Sequence, residues 1–432
     1  MSSYSIIGSE QLEGEIIISG NKNGSLACIA ATLLTDKEVI LNNVPAIEDV
    51  KVLIEILKRY GSDITYLDNN RISFKSNLDY SRDEISPDDE LIGSIRASIL
   101  LIGPLLTRTG KIALPPPGGD VIGFRRLDTH FNAFEELGAH CSITEEGILK
   151  ASANKKLVGA NILLDEASVT GTENIVMASV LAKGKTVITN AASEPHVQDL
   201  CNLLVAMGSK IDGIGSNLLT IEGVANLNGA EFTIGSDYME VGSFIGLAAA
   251  TKSEIELVGC DSKHLPMIEK AYKRLGISWH ESGKDKIVIP KKQSCIIRKS
   301  IDDQTLKIDD APWPGFPADL MSIITVVATQ MNGTILIHEK MYESRLYFVD
   351  WLIRMGADII LCDPHRALIN GPVKLKANQL SSPDVRAGMA LVIAALCAQG
   401  VSTIQNIYQI ERGYEDLHKK LLGVGAKIVR SP

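Results

Sequence analysis

A short stretch, Pro115-Pro116-Pro117-Gly118-Gly119-Asp120-Val121-Ile122-Gly123-Phe124-Arg125-Arg126-Leu127-Asp128, combines three prolines, two glycines beside an acid, and an arginine pair within six residues of that acid. Proline stiffens the entry, and glycine frees the backbone next to Asp120. Such a segment makes poor core. It reads either as a solvated surface turn with incidental charges or as a loop suited to handling an anion. Other polar and charged groups fall at the starts of apolar helical stretches: Lys22 and Asn23, Arg96, Asp319, and Asp384 with Arg386. Arg345 and Arg412 follow directly on core strands in equivalent places. A cation at a helix amino end opposes the helix dipole, so its repetition points to an anionic ligand that offsets the cost.

Bulk composition narrows the chemistry further. A chain of 432 residues exceeds what one hydrophobic core usually serves, so two domains are expected. With 45% hydrophobic but only 5% aromatic residues, the core must be built from Ile, Leu, Val and Ala. A net charge of −9 and the lack of any Lys/Arg-rich tract argue against a general nucleic-acid binder. Met1-Ser2-Ser3-Tyr4-Ser5-Ile6-Ile7 lacks the basic start and apolar run of a signal peptide, and no segment reaches membrane-spanning length. A soluble cytoplasmic protein is the expectation.

Seven scattered cysteines without a C-x-x-C pair point to reduced, mostly buried thiols. His140 with Cys141 and Cys362 with His365 are isolated pairs, so neither a metal nor a cofactor is expected. Gly423-Val424-Gly425-Ala426-Lys427 lacks the full phosphate-loop spacing, and the glycines of Gly118-Gly119-Asp120-Val121-Ile122-Gly123 miss the dinucleotide fingerprint.

The elements that must position these groups repeat along the chain. RYGSDI, ELGAHCSI, AMGSKI, RLGISW, RMGADI and GVGAKI each read as a helix end, a glycine and a strand start. Their glycines, Gly61, Gly138, Gly208, Gly276, Gly356 and Gly425, are spaced by 77, 70, 68, 80 and 69 residues. Glycine there suits a helix terminus that needs positive φ. Upstream of each lies an apolar strand, and before that a small-residue helix such as NGSLACIAATLL or DVRAGMALVIAALCAQ, apolar nearly all round and therefore buried. Six such units divide naturally as three plus three. The first strand pair, Tyr4 to Ile7 with Gly14 to Ser19, could join either half, and the junctions are expected near Asn21 and between Asn226 and Asp237.

Several segments are jointly distinctive: Ser19-Gly20-Asn21-Lys22-Asn23, Arg96-Ala97-Ser98, Gly118-Gly119, Arg125 with Asp128, Asn190-Ala191-Ala192 with Glu194-Pro195, Pro314-Gly315-Phe316-Pro317 with Asp319, Asp384 with Arg386, and Ile410-Glu411-Arg412-Gly413-Tyr414-Glu415. Through them the chain resembles the enolpyruvyl transferases over essentially its whole length, most closely the branch whose acceptor is a nucleotide sugar. The resemblance implies an α/β (α+β) fold, a two-domain inverse α/β barrel of six βαβαββ repeats, three per domain. Residues 1–21 plus 233–432 would form the C-terminal catalytic domain. Residues 22–232 would form the N-terminal domain, with a mobile lid near 115–126 that closes over substrate.

The implied reaction moves enolpyruvyl from phosphoenolpyruvate to the 3′-hydroxyl of UDP-N-acetylglucosamine by addition and elimination, releasing phosphate. That is the first committed step of peptidoglycan synthesis. By the family pattern Lys22, Arg125 and Arg412 would hold phosphoenolpyruvate, with Asn23, Arg96 and Arg386 close by. Asp319 would take the hydroxyl proton, Asp120 would supply one, and Asn23 with Asp384 would position the sugar. The nucleotide sugar would also meet Arg96, Arg125, Arg126, Leu127, Asp128 and Thr129. Ser168, Val169, Thr170, Met341, Tyr342 and Arg345 complete the implied set. Both partners are small molecules; no nucleic acid, membrane or obligate protein partner is implied.

The chain departs from the family pattern in places. Asp120 stands where the commonest members carry cysteine; a carboxyl can still act as general acid, but the covalent trap for fosfomycin would be lost. Glu166 stands where lysine is common near the diphosphate, and Arg126 where proline is common. A misplaced charge at about 5 Å costs about 3 kcal/mol at an effective dielectric near 20. Glu166 therefore points away, pairs with Arg126, or marks another nucleotide acceptor. Thr129 and Tyr342 are milder changes. A catalytically silent nucleotide-sugar-binding paralogue is the alternative from a different class, against which the joint presence of Lys22, Asp120, Asp319 and Arg412 speaks.

Overall fold

A computed structural model of the chain describes residues 2–8, 11–78, 90–119, 122–123, 125–299 and 301–432. Six apolar small-residue segments form helices: α1 (Lys22–Ala31), α2 (Ile102–Thr109), α3 (Val169–Ser179), α4 (Tyr238–Thr251), α5 (Met321–Ala328) and α6 (Val385–Cys397). Every residue of α5 is buried, as is every residue of α4 except Thr251. A helix that is apolar all round has no face to give to water, so other elements must cover it.

The first-turn N–H groups of a buried helix need acceptors from outside the helix ladder. Asn21 caps α1 through the Gly24 N–H at 2.9 Å, and Ser168 caps α3 through the Gly171 N–H at 3.2 Å. Asp237 accepts from the Met239 and Glu240 N–H groups of α4 at 2.9 and 3.2 Å. Asp384 accepts from Arg386 and Ala387 at the start of α6 at 2.8 and 2.9 Å. The two remaining helices begin otherwise, through 3₁₀ turns at Arg96–Leu101 and Ala318–Leu320. Arg96 thus opens a 3₁₀ segment and not a regular α-helix, and Pro104 sits in the first turn of α2, where its missing N–H costs little.

Six sheets accompany the six helices. In one, Asn161–Leu163 runs parallel to Lys185–Thr189, which pairs antiparallel with Leu218–Glu222, itself the partner of Lys210–Asp212. Five sheets have this four-stranded form, and the sixth has three strands among the described residues. The six repeat glycines all lie at positive φ, between 76° and 100°. That is the left-handed region a side chain rarely adopts, and it turns each surface helix into its following strand.

Two sheets are completed by the start of the chain. Strand β1 (Ser3–Ile7) lies between Val401–Gln405 and Lys427–Ser431, antiparallel to both, and β2 (Glu13–Ile17) runs parallel to Glu254–Val258. In the same way Ala230–Thr233 runs parallel to Val39–Asn42 and closes the first repeat. The chain divides into two compact units. One comprises Met1–Ser19 and Ser236–Pro432 with Ile122 and Gly123; the other comprises Gly20–Gly119 and Arg125–Gly235. Each has its own apolar core, and in the first unit α4, α5 and α6 pack on one another. Among the described residues no helix is long and apolar enough to cross a membrane.

Candidate active site

In the second unit the cap on Asn21 sets where α1 starts, and the next residue, Lys22, forms an ion pair with Asp49 at 2.7 Å. Both side chains are largely buried, at 13% and 6% exposed. Asp49 escaped the sequence reading. Its signal is present, because it lies in the first turn of helix Glu48–Arg59, where the dipole favours an acid. Asn23 is half-buried in the first turn of α1.

Arg96 is held beside Arg125 by a hydrogen bond from its Nη2 to the Arg125 carbonyl at 3.1 Å. The glycines before them serve close approach. A Cβ on Gly118 would lie 2.0 Å from the Gly93 carbonyl oxygen, and Gly119, at φ +104°, would place one 2.8 Å from Arg96 Cβ. Asp120 falls outside the described residues, as do Val121 and Phe124 of the expected lid, so their reading stands on sequence alone.

Arg126 Nε donates to Asp128 Oδ2 at 2.8 Å in an exposed ion pair. The pairing of Arg126 with Glu166, one outcome the sequence left open, is not the one made: two residues of spacing bring Asp128 closer, and Glu166 stands exposed. Leu127 supplies the carbonyl that accepts the His130 N–H. Thr129 is buried and donates to Asp165 Oδ1 at 2.6 Å. His130 Nε2 meets Thr170 Oγ1 at 3.0 Å, and burial, reinforced by Arg96, lowers its pKa to about 4. Its ring is therefore neutral at physiological pH. Neither Asp165 nor His130 was found from sequence. Ser168 as cap, with Val169 and Thr170 in the first turn, leaves the amino end of α3 edged by hydroxyls.

In the first unit Asp319 stands in the 3₁₀ turn that leads into α5. Its Oδ1 accepts from Arg345 Nη2 at 3.0 Å and its Oδ2 from Arg386 Nε at 2.9 Å. The two arginine side chains are only 2% and 5% exposed, while Asp319 keeps 28%. Burial opposes the charge of Arg345, but Asp319, Asp384 and Glu339 outweigh it and its pKa is raised. Arg386 is likewise held well above its ordinary value against burial, by Tyr414 and Asp319. The Arg345 guanidinium lies 4.9 Å over the Tyr342 ring, and that of Arg386 lies 5.3 Å over Tyr414. Asp384 pins the Arg386 backbone from the cap position.

Arg412 is buried at the end of the short helix Tyr408–Glu411, its Nη1 donating to Gln409 Oε1 at 2.9 Å. Its neighbour Glu411 is gripped by the Tyr4 hydroxyl at 2.9 Å and by Arg430 through two bonds at 2.7 and 3.0 Å. Met341 is exposed beside Tyr342. Among the described residues no group of three or more His, Cys, Asp or Glu side chains could hold a metal ion. Chemically, the first unit offers a carboxylate able to accept a proton with two guanidiniums to stabilise the site. The second offers a lysine and two arginines suited to phosphate or carboxylate.

The family described as EPSP synthase (3-phosphoshikimate 1-carboxyvinyltransferase) matches residues 6–421. A protein of Treponema denticola named UDP-N-acetylglucosamine 1-carboxyvinyltransferase is 54% identical over 428 residues, covering 99% of each chain. Proteins of the same name from Borreliella burgdorferi and Bacteroides fragilis are 55% identical over 429 residues and 49% over 434; the first pairing covers 99% of each chain and the second 100%. Among solved structures, the enolpyruvyl transferase NikO from Streptomyces tendae superposes with a TM-score of 0.87 at 21% identity, covering 100% of this chain and 99% of that one. EPSP synthase from Acinetobacter baumannii gives 0.77 at 18% identity, with both chains fully covered. At those identities the two likenesses speak for the fold.

Proposed function

The chain belongs to the EPSP synthase family, the enolpyruvyl transferases, and on that premise we propose that it transfers enolpyruvyl from phosphoenolpyruvate to the 3′-hydroxyl of UDP-N-acetylglucosamine. The observation that carries this reading is Asp319, placed between Arg345 and Arg386 at the start of α5. The acceptor hydroxyl adds to C2 of phosphoenolpyruvate as Asp319 takes its proton and Asp120 delivers one to C3. The tetrahedral adduct then loses a proton from C3 while its C2–O bond to phosphate breaks. Enolpyruvyl ether and inorganic phosphate result. Lys22, Arg125 and Arg412 neutralise the phosphate and carboxylate, with Arg96 and Arg386 beside them. In this reading residues 1–21 plus 233–432 form the domain that carries Asp319 and Arg412, and residues 22–232 the one that carries Lys22 and Arg125.

An aspartate ordinarily titrates near pH 4, so Asp120 needs the phosphate of the bound substrate to favour its protonated form. With no thiol at that place the protein should escape alkylation by fosfomycin. Intact mass after incubation should show no adduct on the wild type and one on D120C; an adduct on the wild type would refute this part. A coupled phosphate-release assay with phosphoenolpyruvate and UDP-N-acetylglucosamine tests the reaction itself. A second reading, transfer to another nucleotide or nucleotide sugar, draws on the exposed Glu166 and its lack of pairing with Arg126. Phosphate release only with another acceptor selects it. Binding without release for any acceptor selects a silent paralogue. Peptidoglycan synthesis in the cytoplasm follows from the first reading.

A further inference from the structure

A carboxyl group, Glu339, lies behind Arg345, and a second, Asp310, lies beside Glu339. Strand Leu306–Asp309 runs parallel to Gly333–His338 with Ile308 opposite Ile337 and Asp309 opposite His338. One residue further along that register, Asp310 lies beside Glu339, and both are 0% exposed. Like charges side by side and out of water are unfavourable unless they share a proton or are otherwise paired. Here burial, together with a hydrogen bond to Asp310, pushes Glu339 up to about 9. One proton therefore remains on the pair at neutral pH.

The pair is wrapped by the turn that follows it. Asp310 accepts the Lys340 N–H at 2.5 Å and the Met341 N–H at 3.2 Å, and Glu339 Oε1 accepts the Tyr342 N–H at 3.2 Å. Three successive backbone donors thus end on two side chains. Glu339 of this pair backs Arg345, whose buried Nε makes no hydrogen bond and faces Glu339 Oε2 at 3.8 Å. The opposite end of that guanidinium, Nη2, reaches Asp319. With Glu339 protonated, the charge of Arg345 is left to Asp319 and Asp384.

We propose that Asp310 and Glu339 are positioning residues that shape the Lys340-Met341-Tyr342 turn and aim Arg345 at Asp319. This rests on the reaction read above, in which Asp319 is the base and the turn meets the nucleotide sugar. A positioning role separates the two substrates. In E339A, kcat should fall roughly tenfold and the KM for UDP-N-acetylglucosamine should rise, while the KM for phosphoenolpyruvate stays within about twofold. E339Q, which keeps both an acceptor and a donor, should recover most of the lost kcat.

Crystal structures of wild type, E339A and E339Q form the second arm. The Arg345 to Asp319 contact should be lost in E339A and kept in E339Q. If E339A does not fold, E339M removes the carboxyl at similar volume and takes its place. An E339A or E339M protein with the contact intact and kcat unchanged overturns the proposal, as does a parallel rise of both KM values. If the wild type itself releases no phosphate from these substrates, the reaction is misread, and the crystal structures alone decide whether the pair aims Arg345.

Discussion

Asp319 in the first unit and Glu173 in the second are both carboxyl groups set on or beside core helices, and their surroundings could hardly differ more. Asp319 is 28% exposed and takes hydrogen bonds from two buried guanidiniums. Glu173 on α3 is 2% exposed, and its Oε1 has no hydrogen-bond partner among the described residues. Burial, with Glu194 adding to it, drives the pKa of Glu173 well above the ordinary value. The contrast shows what a carboxyl group in or beside the core needs in order to keep its charge. Where cations arrive with it, the charge is matched; where none does, burial favours the protonated form.

The sharpest way to break that comparison is at Asp319. D319N keeps the size of the side chain but cannot take a proton and turns an amide donor toward one of the two guanidiniums, so phosphate release should fall by about a hundredfold or more and the melting temperature should fall with it. Retained turnover would remove Asp319 from the role of base. Next comes its partner: R345A should lower kcat by roughly tenfold to a hundredfold, and R345K should recover little, because one ammonium does not reproduce the planar fork. Full recovery by lysine would mean that only charge matters there.

Glu173 tests the other side. Its folded pKa is raised above 4.5, so the stability supplied by its proton is complete below about pH 4.5 and is lost as pH rises toward the folded value. Glutamine cannot ionise. E173Q should therefore match the wild type in acid and gain on it as pH climbs, by an amount on the order of 1 kcal/mol, with turnover unaffected. A difference in melting temperature that does not vary with pH would show that folding leaves the titration of Glu173 unshifted, and one that grows in the opposite direction would show it charged and paired. The smallest effect is expected at an ordinary surface pair. Removing the exposed Lys58 partner of Glu55 by K58A should cost about 0.3 kcal/mol in a denaturant titration, and a much larger loss would contradict the weight placed here on burial.

Much of the fold was legible because its signals are local. A helix that is apolar all round must be buried wherever it goes, and the six repeat glycines announced positive φ, which all six adopt. The charged groups of the site could also be picked out one at a time, since Arg96, Asp319, Asp384 and Arg386 stand at or near helix starts. Their partners could not. Asp49 lies in a helix's first turn and Asp310 and Glu339 just past strand ends, places that name no partner. Gly118 and Gly119, read from sequence as freeing the backbone next to Asp120, also serve close packing, and Gly119 takes a left-handed backbone.

By itself, then, the sequence determined the repeat, the six buried helices, the turn glycines and the residue types available for chemistry, because each depends on neighbours a few positions away. Tertiary structure alone decided that Arg345 and Arg386, 26 and 67 residues from Asp319, converge on its carboxylate. It also decided that Tyr4 reaches Glu411 across 407 residues. The physical reason is that an ion pair is set by distance and dielectric in the folded chain, and neither quantity is written in the local pattern of side chains.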